Sequence, residues 1–251
     1  MTLDILICTI DEGIEKVPHV LMPPHDGISY VVSMQLTQSE KKLLVPAVLK
    51  ERKDVTLTFL EGRGLSRNRN HAIEHAKADV LLLADDDNRY TLQLLEPIFK
   101  AYEQHPEADI IHFQALDLQG LPLHPYPASF VSSVEMTFKR SVDIRFDERF
   151  GLGSAKLCAG EEAVWMKDAQ DAGYTILYIP CPIVMTPRAT TGTNFLGNPK
   201  LQMSKGATFR HMYGFSNAMW RTLKEAGWWL VHRGANPFPI LRNMLKGLVE
   251  I

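Results

Sequence analysis

The stretch Val80–Tyr90, VLLLADDDNRY, carries the reading of the fold. Val80 to Ala84 is a near-continuous apolar run, the pattern of a central strand covered on both faces. It stops at Asp85, Asp86 and Asp87. In an open α/β sheet, ligands gather outside the carboxyl ends of the parallel strands, and the triplet occupies such an end. Like charges crowded there repel and call for a cation. Carboxylate oxygens are the ligands that Mg2+ or Mn2+ prefers, commonly completed by substrate phosphates. A solvated acidic turn leading into the next helix is the competing reading, because aspartates are common in turns.

Upstream, Leu3–Cys8 (LDILIC) reads as a buried strand that ends at Thr9. Ile28–Met34 (ISYVVSM) and Val55–Leu60 (VTLTFL) read as a second and a third. The segment EGRGLSRNRNHAI follows, and predicts a helix with Ser66 as N-cap and Ala72, Ile73 and Ala76 on one face. Arg67, Arg69 and Asn70 fall near its N-terminus, where backbone N–H groups attract anions and arginine adds bidentate hydrogen bonds. Contact with nucleotide phosphates and local ion pairing on a solvated face both satisfy that pattern. His71–His75 (HAIEH) matches the H-x-x-E-H zinc-hydrolase pattern. No third ligand is evident on a following helix, so two solvent-facing histidines are the preferred reading.

Downstream, Leu92, Leu95, Phe99 and Tyr102 recur at helical spacing, and ADIIHFQAL supplies another strand from Asp109. Strands alternating with helices indicate a mostly parallel α/β sheet. The proline-rich LPLHPYPASF reads as a loop, and VEMTFKR alternates like an antiparallel strand. A helix is predicted from Gly160 to Ala172, with Trp165, Ala169 and Ala172 on one face and Gly173 as its stop. Glu161 and Glu162 occupy its first turn. Acidic residues favour helix N-termini, and the same dipole favours the ionised form that a general base needs; position alone does not separate the two roles. YTILYIPCPIVM is a further strand, and the last stretch is helical in composition.

The chain of 251 residues has a formal net charge of −2, which excludes a bulk electrostatic drive toward nucleic acid. Cys8, Cys158 and Cys181 show no CxxC spacing, and the N-terminus has no basic region or cleavage site, so a reducing cytoplasm is the expected compartment. No apolar stretch is long enough to span a bilayer.

Taken together these segments resemble the inverting glycosyltransferases of the GT-A fold, in the large family-two group. The resemblance rests on the first strand ending at Thr9, GLSRNRN, ADDDNRY, FDERFGLG, and GEEAVWMKDAQDAG before IPCPIV, over roughly residues 3 to 190. It implies a GT-A domain over residues 1–200, with a donor half to about residue 120 and an acceptor half after it. Residues 201–251 would be a helical extension. Thr9 would sit beside the nucleoside and Arg69 would contact the base or phosphates. Asp85 and Asp87 match the DxD motif within a donor site that also includes Asp86. Asp87 would be the direct ligand of Mn2+ or Mg2+, and Asp85 would lie nearer the ribose or the metal's water shell. Glu161-Glu162 matches the pair whose second member is the catalytic base, which assigns that role to Glu162. The partners implied are a nucleotide-sugar donor and a glycan or lipid-linked glycan acceptor.

Two departures from the family pattern stand out. The second strand ends in SMQLT where an acidic segment is usual, so Gln35 stands where an aspartate would read the nucleobase. The strand PIVMT lacks the histidine that often completes the metal site, leaving Thr186, His211 or water. Two other functions compete. A nucleotidyltransferase would carry a glycine-rich phosphate loop that ICTIDEGIEK lacks, and a non-catalytic sugar-nucleotide binder would not need Asp85, Asp87 and Glu162 intact. At the C-terminus, Trp228, Trp229, Leu230, Phe238, Ile240, Leu241, Met244 and Leu248 accompany Arg233, Arg242 and Lys246. That mixture suits a helix lying at the inner face of a membrane, as it suits a terminal helix packed on its domain.

Overall fold

The computed structural model describes residues 1–123, 132–188 and 194–251. Its strands are β1 (Leu3–Ile10), β2 (Ile28–Leu36), β3 (Val55–Glu61), β4 (Val80–Asp85), β5 (Ile110–Asp117), β6 (Met136–Lys139) and β7 (Ile176–Thr186). Its helices are α1 (Ala47–Glu51), α2 (Leu65–His75), α3 (Leu92–Gln104), α4 (Glu161–Asp171), α5 (Pro199–Arg233) and α6 (Pro237–Leu248).

The strands form one sheet in the order β3-β2-β1-β4-β6-β5-β7. β3, β2, β1 and β4 pair in parallel, β6 is antiparallel to both β4 and β5, and β5 is parallel to β7. Among the described residues β6 is therefore the one reversed strand, and the others direct their carboxyl ends to a single edge. This is the α/β architecture expected from the sequence, with VEMTFKR supplying its antiparallel strand.

The chain divides into two compact units. The first comprises Met1–Arg63, Arg67–Arg145 and Ala169–Arg188 and contains the whole sheet. Its core joins Ile5, Ile7, Val32, Met34, Leu82 and Ala84 from the parallel strands to Leu95 and Ile98 of α3. All of Val80–Ala84 is buried, as a strand covered on both faces requires. Asp4, an acid inside a buried strand, accepts hydrogen bonds from Ser29 Oγ and from the Lys77 and Ala78 backbone N–H groups. Those bonds offset the cost of burying its carboxylate.

The second unit comprises Gly64–Ser66, Phe146–Asp168 and Ala189–Ile251. Trp165 is fully buried and stacks on Phe146 at 5.6 Å between ring centroids. Truncating such a side chain typically costs about 3–5 kcal/mol. Helix α5 is interrupted at Gly214, whose backbone is non-helical, and α6 packs on it with Gly247 against the carbonyl of Met203 and Gly206 against that of Met244. No helix among the described residues is long and apolar enough to cross a membrane.

Several local expectations change. β1 continues through Thr9 to Ile10 and β2 through Gln35 to Leu36, so both site candidates lie inside strands. Ser66 lies within α2 rather than capping it, and its hydroxyl donates to the carbonyl of Phe150 at 2.6 Å. Leu92 is exposed; the buried stripe of α3 is Leu95, Ile98, Ala101 and Tyr102, with Thr91 as N-cap. Ala172 is exposed at the end of α4. Most of the LPLHPYPASF loop lies outside the described residues.

Candidate active site

The site begins at the carboxyl ends of β1, β2 and β4. Strand register sets Ile10 opposite Gln35 and Cys8 opposite Asp85, which brings Thr9, Gln35 and the acidic turn to one edge of the sheet. Thr9 Oγ1 donates to Asp86 Oδ2 at 2.6 Å, and Lys16 Nζ lies 3.7 Å from the other oxygen of the same carboxylate. Gly13 passes close by: a Cβ there would stand 2.4 Å from both Thr9 Oγ1 and Asp86 Oδ2. The residue must be glycine for that pair to meet.

The turn itself is held from within. The Asp85 backbone N–H donates to Asn88 Oδ1 at 2.8 Å, and Asn88 is fully buried. Arg89 Nη1 donates to the carbonyls of Asp87 and Asn88. The Arg89 backbone then exchanges two hydrogen bonds with Met185, at 2.8 and 3.0 Å, stitching the acidic turn to the end of β7. Thr186, the next residue along, is buried at that strand end. Burial and the neighbouring Asp86 carboxylate push the Asp87 carboxyl above its ordinary value, and Lys16 only partly opposes them.

Arg69 is 3% exposed. Its Nη2 donates to Ser133 Oγ at 2.7 Å and lies 3.9 Å from Asp85 Oδ1. The guanidinium therefore delivers its charge beneath the acidic turn. Burial drives the thiol of Cys8 up to about 12, against the pull of Arg69, so Cys8 is a packed hydrophobe and no nucleophile.

The two histidines of HAIEH are tied into the first unit. His71 Nδ1 bonds to Ser33 Oγ at 2.8 Å, and His75 Nδ1 bonds to the carbonyl of His71. His71 is half-buried against the sheet, contrary to the expectation of two solvent-facing rings. Burial and the neighbouring His75 lower its pKa.

In the second unit, Glu161 and Glu162 open α4 as expected. Glu161 is buried and Glu162 half-buried. A Cβ on Gly151 would stand 3.3 Å from Glu161 Cδ and 2.9 Å from Ser66 Oγ, so Glu161 faces the Gly151 turn. Gly160 precedes the helix with φ +97°, and its carbonyl accepts the first helical hydrogen bond, from Val164. His211, a candidate for the missing histidine, is engaged with Asp168 at 2.6 Å through Nε2.

Residues 42–120 match the family described as Glycosyl transferase family 2, a span that includes Arg69 and the acidic triplet. The match spans 79 of the 251 residues and is a likeness to that family over the β3–β5 part of the sheet. Solved structures agree on the GT-A fold. S. aureus TarS 1-349 superposes with a TM-score of 0.62 at 13% identity, covering 100% of this chain and 82% of that one. The same protein in complex with UDP-GlcNAc gives 0.58 at 13%, covering 98% and 80%. The mannosyltransferase PcManGT from Pyrobaculum calidifontis, in complex with GDP-Man and Mn2+, gives 0.61 at 12%, covering 99% and 86%. A comparison with curated protein sequences returns no match.

Sequence reasoning missed one residue at this edge of the sheet. Asp11, directly after β1, has φ +47°, and its carboxylate accepts from the Thr37 backbone N–H at 2.9 Å and from Thr37 Oγ1 at 2.6 Å. Burial acts to raise its pKa, but the two Thr37 hydrogen bonds outweigh it and hold the carboxyl below its ordinary value. The clasp ties the β1 loop to the end of β2, where Gln35 sits. A non-glycine residue at positive φ is uncommon and aspartate is among those that tolerate it; IDEG in the sequence is the only hint.

Among the described residues no three or more His, Cys, Asp or Glu side chains cluster as a ready-made metal site. The donor set still fits a hard divalent cation. Asp87 carries an ionisation penalty that positive charge would relieve, and Mg2+ is commonly held by one or two carboxylates with phosphates and water completing the shell.

Proposed function

We propose that this protein is a glycosyltransferase that takes a sugar from a nucleotide-sugar donor and transfers it with inversion to a hydroxyl of a glycan or lipid-linked glycan. Glu162 accepts the proton of that hydroxyl. The oxygen bonds to C1 of the sugar while the C1–O bond to the nucleoside diphosphate breaks on the opposite face. Thr9 and Gln35 frame the nucleoside. Asp85 and Asp86 orient the ribose and diphosphate side, and Arg69 keeps its positive charge 3.9 Å from Asp85. Mn2+ or Mg2+, held by Asp87 and Asp85, would supply positive charge to the departing diphosphate.

One observation supports this reading: the acidic turn at the carboxyl edge of the sheet, where burial and the Asp86 carboxylate hold the Asp87 carboxyl above its ordinary value. Two structural neighbours hold UDP-GlcNAc and GDP-Man, which makes those donors the first to try. The test incubates the protein with a panel of nucleotide-sugars and Mn2+ and measures released nucleoside diphosphate, with Asp87→Asn as control. Release from at least one donor by the wild type, lost in Asp87→Asn, is the expected result. Pyrophosphate as product would move the protein to the nucleotidyltransferases. Binding without release from any donor would make it a sugar-nucleotide binder.

A further inference from the structure

The sequence 199–251 holds eight Lys or Arg against two Asp or Glu, a charge of +6 that leaves −8 on the rest of a chain whose total is −2. Basic character is thus concentrated in α5 and α6. The exposed Phe and Trp side chains among the described residues, Phe215, Trp220, Trp228 and Phe238, all fall in the same segment. Charge and aromatic surface have been placed together.

Helix α6 shows how. Ile240, Met244, Gly247 and Leu248 are its buried face. Phe238, Leu241, Leu245 and Val249 follow one another at spacings of three and four and so form a second apolar stripe beside the first, with Leu241 and Leu245 half-buried along it. Phe238 and Val249 are each 75% exposed. Together with Arg242 and Lys246 the four line an open groove of about 470 Å3. Of the eight apolar residues expected at this terminus, three are exposed, Trp228, Leu230 and Phe238; Ile240, Met244 and Leu248 are core, Leu241 packs against that core, and Trp229 stacks on Phe195 at 5.1 Å.

The second half of α5 repeats the arrangement. Ala218, Thr222 and Ala226 are buried, while Trp220, Leu223 and Val231 are exposed on the other side beside Arg221 and Lys224. A helix that is apolar on its packed face has no folding reason to carry a second apolar face flanked by cations. A hydrophobic stripe edged with Lys and Arg is the pattern of a helix seated at a lipid headgroup boundary. Indole is enriched at membrane boundaries, where one side is apolar and the other wet, and here it stands beside an excess of Lys and Arg.

We infer that the outward face of α6, with that of the second half of α5, seats this protein on an anionic lipid surface. The inference rests on charge and exposure in the C-terminal helices and is independent of the donor-site assignment. Basic residues take hold of anionic headgroups, and Phe238 and Val249 enter the acyl boundary. Each neutralised headgroup adds affinity that salt removes.

The experiment is flotation of the full chain with vesicles of equal parts phosphatidylglycerol and phosphatidylcholine, against phosphatidylcholine alone. Binding to the anionic vesicles at low salt, lost on pure phosphatidylcholine and reduced in high salt, is expected. Arg242→Glu with Lys246→Glu should weaken it by roughly thirtyfold, and Phe238→Ser with Val249→Ser by about tenfold or more, all at unchanged melting temperature. These side chains are exposed, so the variants test the surface without removing core. Failure to float at low salt overturns the inference. So does equal flotation of wild type and both variants. A concentration-dependent dimer in sedimentation velocity, abolished by Phe238→Ser with Val249→Ser and accompanied by no flotation, would assign the face to a second copy and also overturn it. Donor turnover measured without lipid is unaffected by these variants, so loss of flotation and loss of the donor site are told apart.

Discussion

Thr9 and Asp86 lie 77 residues apart in sequence and are joined by a 2.6 Å hydrogen bond at the carboxyl edge of the sheet. The bond unites the first strand with the acidic turn, the two segments between which a nucleoside diphosphate would lie. Gly13 leaves room for it, since a Cβ there would stand 2.4 Å from both partners. Gly13→Ala should separate them. Both obstructing atoms are ends of movable side chains, so the melting temperature should change little. Affinity for a nucleoside diphosphate with Mn2+ should fall by about 1–2 kcal/mol, the worth of a hydrogen bond to a charged group. Titration calorimetry showing wild-type affinity would separate the Thr9–Asp86 pair from the donor site.

Asp87 makes a prediction about stability with an unusual sign. Its folded-state pKa is raised by burial and by Asp86, so the ionised carboxylate destabilises the fold when no cation is bound. That penalty is fully present above the raised folded value and disappears as pH falls through it toward the unfolded value. Asp87→Asn removes the charge while keeping the shape. The variant should therefore melt higher than wild type at neutral pH without metal, and the advantage should vanish in acid. Adding Mn2+ and nucleoside diphosphate should stabilise the wild type and leave Asp87→Asn where it was. A variant that melts lower at pH 7, with the gap closing on acidification, would mean that the carboxylate is stabilising and not waiting for a cation.

Gly160 sets the entry to α4. Its φ of +97° strains any L side chain, and a Cβ would also stand 2.1 Å from Thr208 Oγ1. Gly160→Ala should destabilise the protein by about 2 kcal/mol or more through the backbone term, with the steric term added. Combining it with Thr208→Ala removes the obstructing hydroxyl and should recover part of the loss but not the backbone share. Urea midpoints of the two variants measure both. An unchanged midpoint for Gly160→Ala would show that the turn before Glu161 is free to rearrange.

The legible parts of this molecule were those written in contiguous sequence. VLLLADDD announced both a doubly covered strand and the acidic turn at its end, because burial on both faces erases alternation and a sheet edge restores polarity. Glu161 and Glu162 at a helix start were equally readable from the glycine before them and the apolar spacing after. What escaped depends on partners distant along the chain. Ser66 has the composition of a cap, yet its hydroxyl is taken by Phe150, 84 residues on, and the helix begins one residue earlier. Arg69 could be read either as a nucleotide contact or as part of a solvated helix face, and its burial against Ser133 and Asp85, neither within its own helix, was not legible. Asp11 looks like an ordinary loop acid until Thr37 is found in its grasp. The strand end that lacks the family histidine shows its neighbourhood only through the Arg89–Met185 pairing.

The assignment of the base is open to the most direct test. Glu161 and Glu162 are adjacent on α4, so their side chains leave the helix about 100° apart and cannot serve the same atom equally. Glu161 is 5% exposed and faces Gly151, while Glu162 is half-buried. Glu162→Gln keeps the shape and most hydrogen bonds of the side chain but cannot accept a proton. Transfer should fall by roughly 10²–10⁴-fold, the usual share of general-base catalysis. Donor affinity and melting temperature should hardly move. Glu161→Gln exchanges a buried carboxylate for an amide, so its effect should appear first in melting temperature and only secondarily in rate. The two variants therefore differ in which measurement responds, not merely in how much. If Glu161→Gln abolishes transfer at unchanged stability and Glu162→Gln does not, the base is one residue earlier and the matching of this turn to the family pair shifts with it. If neither slows transfer, the two glutamates are a charged helix start, and single displacement at C1 loses the group that was to take the acceptor's proton.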